Sequence, residues 1–163
     1  MSIAEEKTSA ALDAFVKSAA ALAQAEMTED VVLARLRPLI TEVTGVPPEN
    51  IRMESNLVMD LGAESIDLLD LSFLVEEAFG ITIEPNEFES RVKARIAPVA
   101  YEKDGELTEA ALAELRRLMP EVDPTRLAPG LRRADLPVVL TVGVFVHLIR
   151  RKMAAKVEGE SDA

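Results

Sequence analysis

The 163-residue chain contains no cysteine, no tryptophan, one tyrosine and one histidine. Without cysteine there are no disulfides, no thiolate nucleophile and no Cys-type metal site. With His147 alone, a His-based triad or a zinc centre would have nothing to spare. Aromatic residues are 4% of the chain, too few to build stacking platforms for single-stranded nucleic acid. Positive charge is scarce as well: the formal net charge is −11, which argues against binding a phosphate backbone. Long apolar runs are absent. The longest, Leu136 to Ile149, is interrupted by Pro137, Thr141 and His147 and falls short of the ~20 residues of a spanning helix. Glu5 and Glu6 precede any apolar run, unlike a secretory signal, so a cytoplasmic protein without a membrane span is expected.

What is present is a chain that is 48% apolar, enough to bury a core. The acidic excess is local. Residues 49–90 carry eleven carboxylates against Arg52 alone, a field that steers basic partners, or else a plain solvated face.

Helical spacing recurs along the chain. Leu12, Phe15, Val16, Ala19, Leu22 and Ala23 predict an amphipathic helix within residues 3–26. Thr28 predicts an N-cap, with Glu29 and Asp30 in the first turn and Val32, Leu36, Leu39, Ile40 and Val43 on a buried stripe ending at Gly45. Pro38 inside that stripe predicts a kink or a restart. Residues 45–63 read as a long ordered loop pinned by Ile51, Leu57, Val58 and Leu61. A helix from about Ser65 to Phe79 follows, stopped by Gly80. Residues 81–84 read as extended, with a short helical turn at Pro85, Asn86 and Glu87. From 91 to 135 the charge balances. There, Lys103-Asp104-Gly105 signals a small hairpin and Thr108 caps a helix with Leu112, Leu115 and Met119 inward. Thr141 caps a last helix, and Val157 to Ala163 are expected to fray.

The segment Asp60-Leu61-Gly62-Ala63-Glu64-Ser65-Ile66-Asp67 is the most specific signal. Ser65 opens a helix after a glycine turn, so its hydroxyl is expected at the surface beside free N–H groups, which suit a phosphate ester. No basic side chain lies between Arg52 and Arg91, so Ser65 lacks a local base and reads as a substrate of another enzyme or as a simple cap. On the following helix, Leu68, Leu71, Ser72, Val75, Ala78 and Phe79 form an inward face. Asp67, Asp70 and Glu77 cluster opposite, flanked by Ile66 and Phe73. Those two apolar residues either edge a docking surface or pack beneath residues 91–135.

These residues resemble an acyl carrier protein around its prosthetic-group serine. Asp60 to Asp67, Leu68-Leu69-Asp70-Leu71 and Val75 to Ile81 follow the family pattern, as do Gly45-Val46-Pro47 to Ile51 and Thr141-Val142. The resemblance covers about residues 29–89 and 136–156. It implies an all-α, carrier-like helical bundle, here with an extra N-terminal helix (1–27). The first part of the carrier domain would be 28–90, then an inserted, mainly helical lobe with a small hairpin (91–135), the last carrier helix (136–156) and a tail (157–163). It further implies a 4′-phosphopantetheine arm, donated by coenzyme A and esterified to Ser65. The acyl group would be held as a thioester and passed among enzymes of fatty-acid, lipid or polyketide-type metabolism. Partners would be a phosphopantetheinyl transferase and the basic surfaces of acyl-transferring enzymes, met by a monomer through Glu64, Ile66, Asp67, Leu69, Asp70, Phe73, Glu76 and Glu77. The protein itself would be no enzyme. Glu64 stands where the family has Asp, and Ile66 where it has Leu. The alternatives are an unmodified acidic interaction module, an aminoacyl or peptidyl carrier, and a hydrolase using Ser65.

Overall fold

The computed structural model describes residues 10–15, 27–84 and 86–162, with side chains to 156. Residues 10–15 are helical (α1), and Leu12 and Phe15 on them are exposed, so the inward stripe expected there is not packed against any described part of the chain. Val16, Ala19, Leu22 and Ala23 lie outside the described residues.

Helix α2 (Glu29–Thr44) begins at Thr28, whose hydroxyl accepts the Val31 N–H, and ends at Gly45 with φ 78°. Of the kink or restart expected at Pro38, the restart does not occur: the helix runs on through it. The lost backbone bond costs roughly 3 kcal/mol. Val32, Leu33, Leu36 and Ile40, all buried, outweigh it at about 1.5–3 kcal/mol each. Helix α3 (Ser65–Phe79) ends at Gly80, also left-handed. Arg35 of α2 donates to the Ala78 carbonyl at 2.7 Å and stacks 4.4 Å above Phe79, tying the two helices at that end. Of the predicted inward face, Leu71, Val75 and Phe79 are buried and Leu68 and Ser72 half-buried, but Ala78 is exposed, since it lies at the edge of the α2 contact.

Helix α4 (Glu87–Ile96) is longer than the turn the sequence suggests and runs across the 90/91 boundary. Two i,i+4 pairs brace this helix across that boundary, Glu87–Arg91 at 3.1 Å and Glu89–Lys93 at 2.8 Å. A hairpin follows, β1 (Glu102–Lys103) against β2 (Glu106–Leu107), turning through Asp104 and Gly105 at φ 55° and 84°. Helix α5 (Glu109–Leu118) is capped by Thr108, and 3-10 turns at Pro124–Arg126 and Arg133–Val139 lead to α6 (Val142–Asp162). The backbone of α6 stays helical through 157–162, where fraying was expected. Gly159, at about 1 kcal/mol relative to Ala, is the only residue there that strongly opposes a helix.

Two hydrophobic cores result. One joins α2, α3 and α6 with the loop anchors Ile51, Leu57 and Leu61. The other lies in the lobe, around Leu112, Leu115, Met119, Leu127 and Tyr101, and reaches back to Val92 on α4. Helix α6 serves both, giving Val142, Phe145, Val146 and Ile149 to the bundle and Val144 to the lobe. Among the described residues no helix is long and apolar enough to cross a membrane.

His147 fastens this junction. Its Nδ1 lies 2.8 Å from Glu121 of the lobe and its Nε2 2.8 Å from Glu29 of α2, while Arg150 approaches Glu29 at 3.6 Å. A neutral imidazole has one N–H, so donating to both carboxylates requires the imidazolium. Burial opposes that charge, but the bonds to Glu121 and Glu29 prevail and hold the pKa above the ordinary 6.5. A raised folded-state pKa gives stability that is complete below 6.5 and lost as pH rises through the raised value. Thermal melting across that range should therefore show Tm falling with pH for the native chain and a flatter profile for His147→Gln. Equal slopes in the two proteins would refute the clasp.

Candidate functional site

The loop before α3 is built on Asn56, the one polar residue in the buried set among the described residues. Its Oδ1 accepts the N–H groups of Val58 at 3.0 Å and Met59 at 2.8 Å, and its own N–H donates to Asp60 at 2.7 Å. Its Nδ2 donates across the molecule to the Val138 carbonyl at 2.6 Å. Leu57 N–H bonds Leu140 O at 3.1 Å, and Ala63 N–H returns to Leu57 O at 2.9 Å. Gly62, at φ 73°, makes the turn that side chains resist. The result is a closed loop, sewn to the segment before α6, that delivers the chain to α3 in one direction.

Ser65 is the first residue of α3 and is exposed. Glu64 holds the N-cap position, and the Asp67 carboxylate accepts the Glu64 N–H at 2.8 Å. The first intrahelical bond is Leu68 N–H to Glu64 O at 3.1 Å, so the N–H groups of Ser65 and Ile66 precede the ladder at the positive end of the helix dipole. Asp60 and Asp67, the carboxylates on either side, are both turned onto backbone N–H groups. An exposed hydroxyl with free donors beside it fits a phosphodiester. It does not fit a hydrolytic nucleophile, because both nitrogens of His147 are already engaged by carboxylates.

The remaining predicted residues divide into two groups. Ile66, Phe73, Asp70 and Glu77 are exposed on one face of α3, with Ile66 62% and Phe73 60% accessible, so neither apolar side chain is packed beneath the lobe. Leu69, half-exposed, lies with Ser65 and Phe73 along a cavity of about 820 Å³ between α3 and the lobe. Glu76 also lines it, and its carboxylate accepts the Ile83 N–H at 2.6 Å. Asp67 and Glu76 thus each hold a backbone N–H as well. Sequence reasoning singled out neither Asn56 nor Arg132 and Arg133, which line the far wall. Arg133 pairs with Glu89 at 2.9 Å and Glu102 at 3.2 Å, contacts spanning forty-four and thirty-one residues that no local pattern announces.

The site is thus an exposed serine that opens the second helix of a three-helix core. Residues 34–97 match the family model described as a phosphopantetheine attachment site. The chain is 33% identical over 64 residues to the acyl carrier protein of Campylobacter hominis, covering 39% of this chain and 81% of that protein. To the acyl carrier protein of Nitratidesulfovibrio vulgaris it is 36% identical over 70 residues, covering 43% of this chain and 91% of that one. No solved structure matches the chain. The chain belongs to the acyl carrier protein family, and membership implies a covalently attached 4′-phosphopantetheine. The matched region ends where α4 ends, so the lobe beyond residue 97 is outside it.

Proposed function

We propose that Ser65 carries the phosphopantetheine arm. The chain then passes acyl groups, held as thioesters, between cytoplasmic enzymes of fatty-acid, lipid or polyketide-type metabolism, acting as a monomer. The observation that carries this reading is the exposed Ser65 hydroxyl at the N–H end of α3, inside the region that matches the family. Ser65 would hold the group through its phosphate, with the Ser65 and Ile66 N–H groups beside it. Once attached, the arm supplies the thiol that a cysteine-free chain lacks. The chain's own part is to present that hydroxyl, hold the loop rigid and dock. The tether raises the effective concentration of cargo at each partner, while weak docking allows release. The test is intact mass after incubation with coenzyme A and a promiscuous phosphopantetheinyl transferase. A gain of one arm is expected, and no gain on a folded chain would overturn the reading.

The docking face under this reading is narrower than the sequence suggests. Ile66, Asp70, Phe73 and Glu77 present it, Leu69 and Glu64 sit at its edges, and Asp67 and Glu76 serve the fold. Transferases and acyl-handling enzymes with basic surfaces would meet it. Reversing two charges, Asp70→Lys with Glu77→Lys, should slow arm transfer by about tenfold at low salt. The difference should shrink as salt screens the field. An unchanged rate at low salt would rule this face out.

A further inference from the structure

Around the His147 clasp three buried polar atoms have no partner: Oε1 of Glu121 and the Nε and Nη2 of Arg151. We propose that these atoms are the two sides of a second ion pair, formed when His147 loses its proton. Glu121 then passes from the imidazole to Arg151, one turn further along α6. The exchange concerns the junction of the lobe with the bundle and does not depend on what Ser65 carries.

Helical period sets the geometry. Arg150 and Arg151 follow His147 by three and four residues, so they lie about 60° to one side of it and about 40° to the other. The two carboxylates are divided in the same way. Glu29 of α2 meets Nε2 at 2.8 Å and already has Arg150 at 3.6 Å. Glu121 of the lobe meets Nδ1 through Oε2 at 2.8 Å, and the arginine left for its Oε1 is Arg151. The other carboxylate acting on Arg151, Glu87 of α4, is held by Lys152 at 2.6 Å and by Arg91 at 3.1 Å. Arg117 of α5, also nearby, is bonded to Glu114. Burial and the Arg91 charge, aided by Arg117, hold the Arg151 guanidinium below its usual value against Glu121 and Glu87. It stays charged all the same, since no guanidinium gives up its proton where imidazole titrates. What its surroundings lack is one carboxylate contact.

Protonation decides which arrangement holds. The imidazolium donates from both nitrogens and binds Glu29 and Glu121 together. The neutral ring keeps one N–H, so one carboxylate is left facing a bare ring nitrogen. Glu121 is the one that gains by leaving. A bond from a guanidinium is roughly twice as strong as one from a neutral N–H, and here it satisfies all three unpartnered atoms. Water cannot do this instead, because the Glu121 side chain is only 13% exposed, against 51% for Glu29. Glu29 keeps the remaining N–H at Nε2, with Arg150 beside it. One proton leaves the ring for solvent, and no other group changes charge. Below the transition a single ring ties α2, α6 and the lobe together. Above it the lobe is tied to α6 alone, and α2 separately, so the lobe loses its link to α2 while keeping its hold on α6.

The test is an NMR titration of the full chain between about pH 5.5 and 9. His147 is the only histidine, so its ring signals report the proton directly. The Arg151 Nε–H signal should move downfield, as an N–H does on bonding a carboxylate, with the same midpoint as the ring. In His147→Gln it should hold the high-pH position throughout. Thermal melting gives a second reading. Arg151→Met keeps the apolar stem, so it should melt at or above the native chain below pH 6.5 and about 2–4 °C below it at the upper end of the range. Added to His147→Gln, the same substitution should lower Tm at every pH. The native titration decides the matter even where Arg151→Met folds poorly. An Arg151 signal that stays in place while the ring titrates would overturn the exchange. So would one that moves alike in His147→Gln, or an Arg151→Met substitution without cost in that background.

Discussion

Replacing Ser65 with alanine should abolish arm attachment completely while leaving the fold intact. The two halves of that expectation come from different features. Attachment needs an oxygen at this one position, and no neighbouring side chain can stand in: Glu64 and Asp67 are carboxylates, and the hydroxyl of Ser72 bonds the Leu68 carbonyl at 3.0 Å two turns away. Stability barely depends on the hydroxyl. Ser65 is exposed and follows the N-cap instead of occupying it, so the loss should stay within about 0.5 kcal/mol. Alanine is also the better helix former. Intact mass reads the first half and a urea titration the second. A mass gain that survives in Ser65→Ala would move the attachment elsewhere. A collapse of stability would mean that Ser65 is a structural cap after all.

What could be read from sequence was governed by range. Thr28, Gly45, Gly80, Thr108 and Thr141 mark helix ends through bonds to neighbours within a few residues, and each end falls where its residue predicts. The hairpin through Asp104 and Gly105 is legible for the same reason, since the turn demands positive φ locally. That the helix does not restart at Pro38 is not legible, because the local penalty is visible in sequence while the burial that outweighs it, spread over other segments, is not. The length of α4 is not legible because its i,i+4 ion pairs join carboxylates before residue 91 to cations after it, across a point where composition changes. At the site, the serine motif was readable as a string of residues, and Ile66, Asp70 and Glu77 could be assigned a face from helical period alone. That Asp67 and Glu76 accept the Glu64 and Ile83 N–H groups follows from the paths of the loops, which periodicity does not contain. The cavity is the extreme case. One of its walls is made by residues 132–140, which return beside α3 some sixty positions further along the chain.

Asn56 shows what such long-range placement contributes, and Asn56→Ala should destabilise the protein by about 2–3 kcal/mol. The amide side chain satisfies three backbone groups at once, two N–H donors in its own loop and the Val138 carbonyl eighty-two residues away. Leaving a buried polar group without a partner costs about 1–3 kcal/mol. The Met59 end is open enough for water to replace the amide, which keeps the total below three full penalties. The damage should also appear in function, because the same bonds hold the loop that presents Ser65. Arm transfer to Asn56→Ala should be slower even under conditions where the variant is fully folded. Asn56→Asp separates the two sides of the residue. It keeps an oxygen for Val58 and Met59 but loses the donor to Val138 and sets a carboxylate against that carbonyl at the former 2.6 Å contact. If the cross-chain bond dominates, Asp should be at least as destabilising as Ala at neutral pH. If the local loop bonds dominate, Asp should recover most of the loss. Stability of Asn56→Ala within about 0.5 kcal/mol of the native chain would show that the loop is held by its apolar anchors alone.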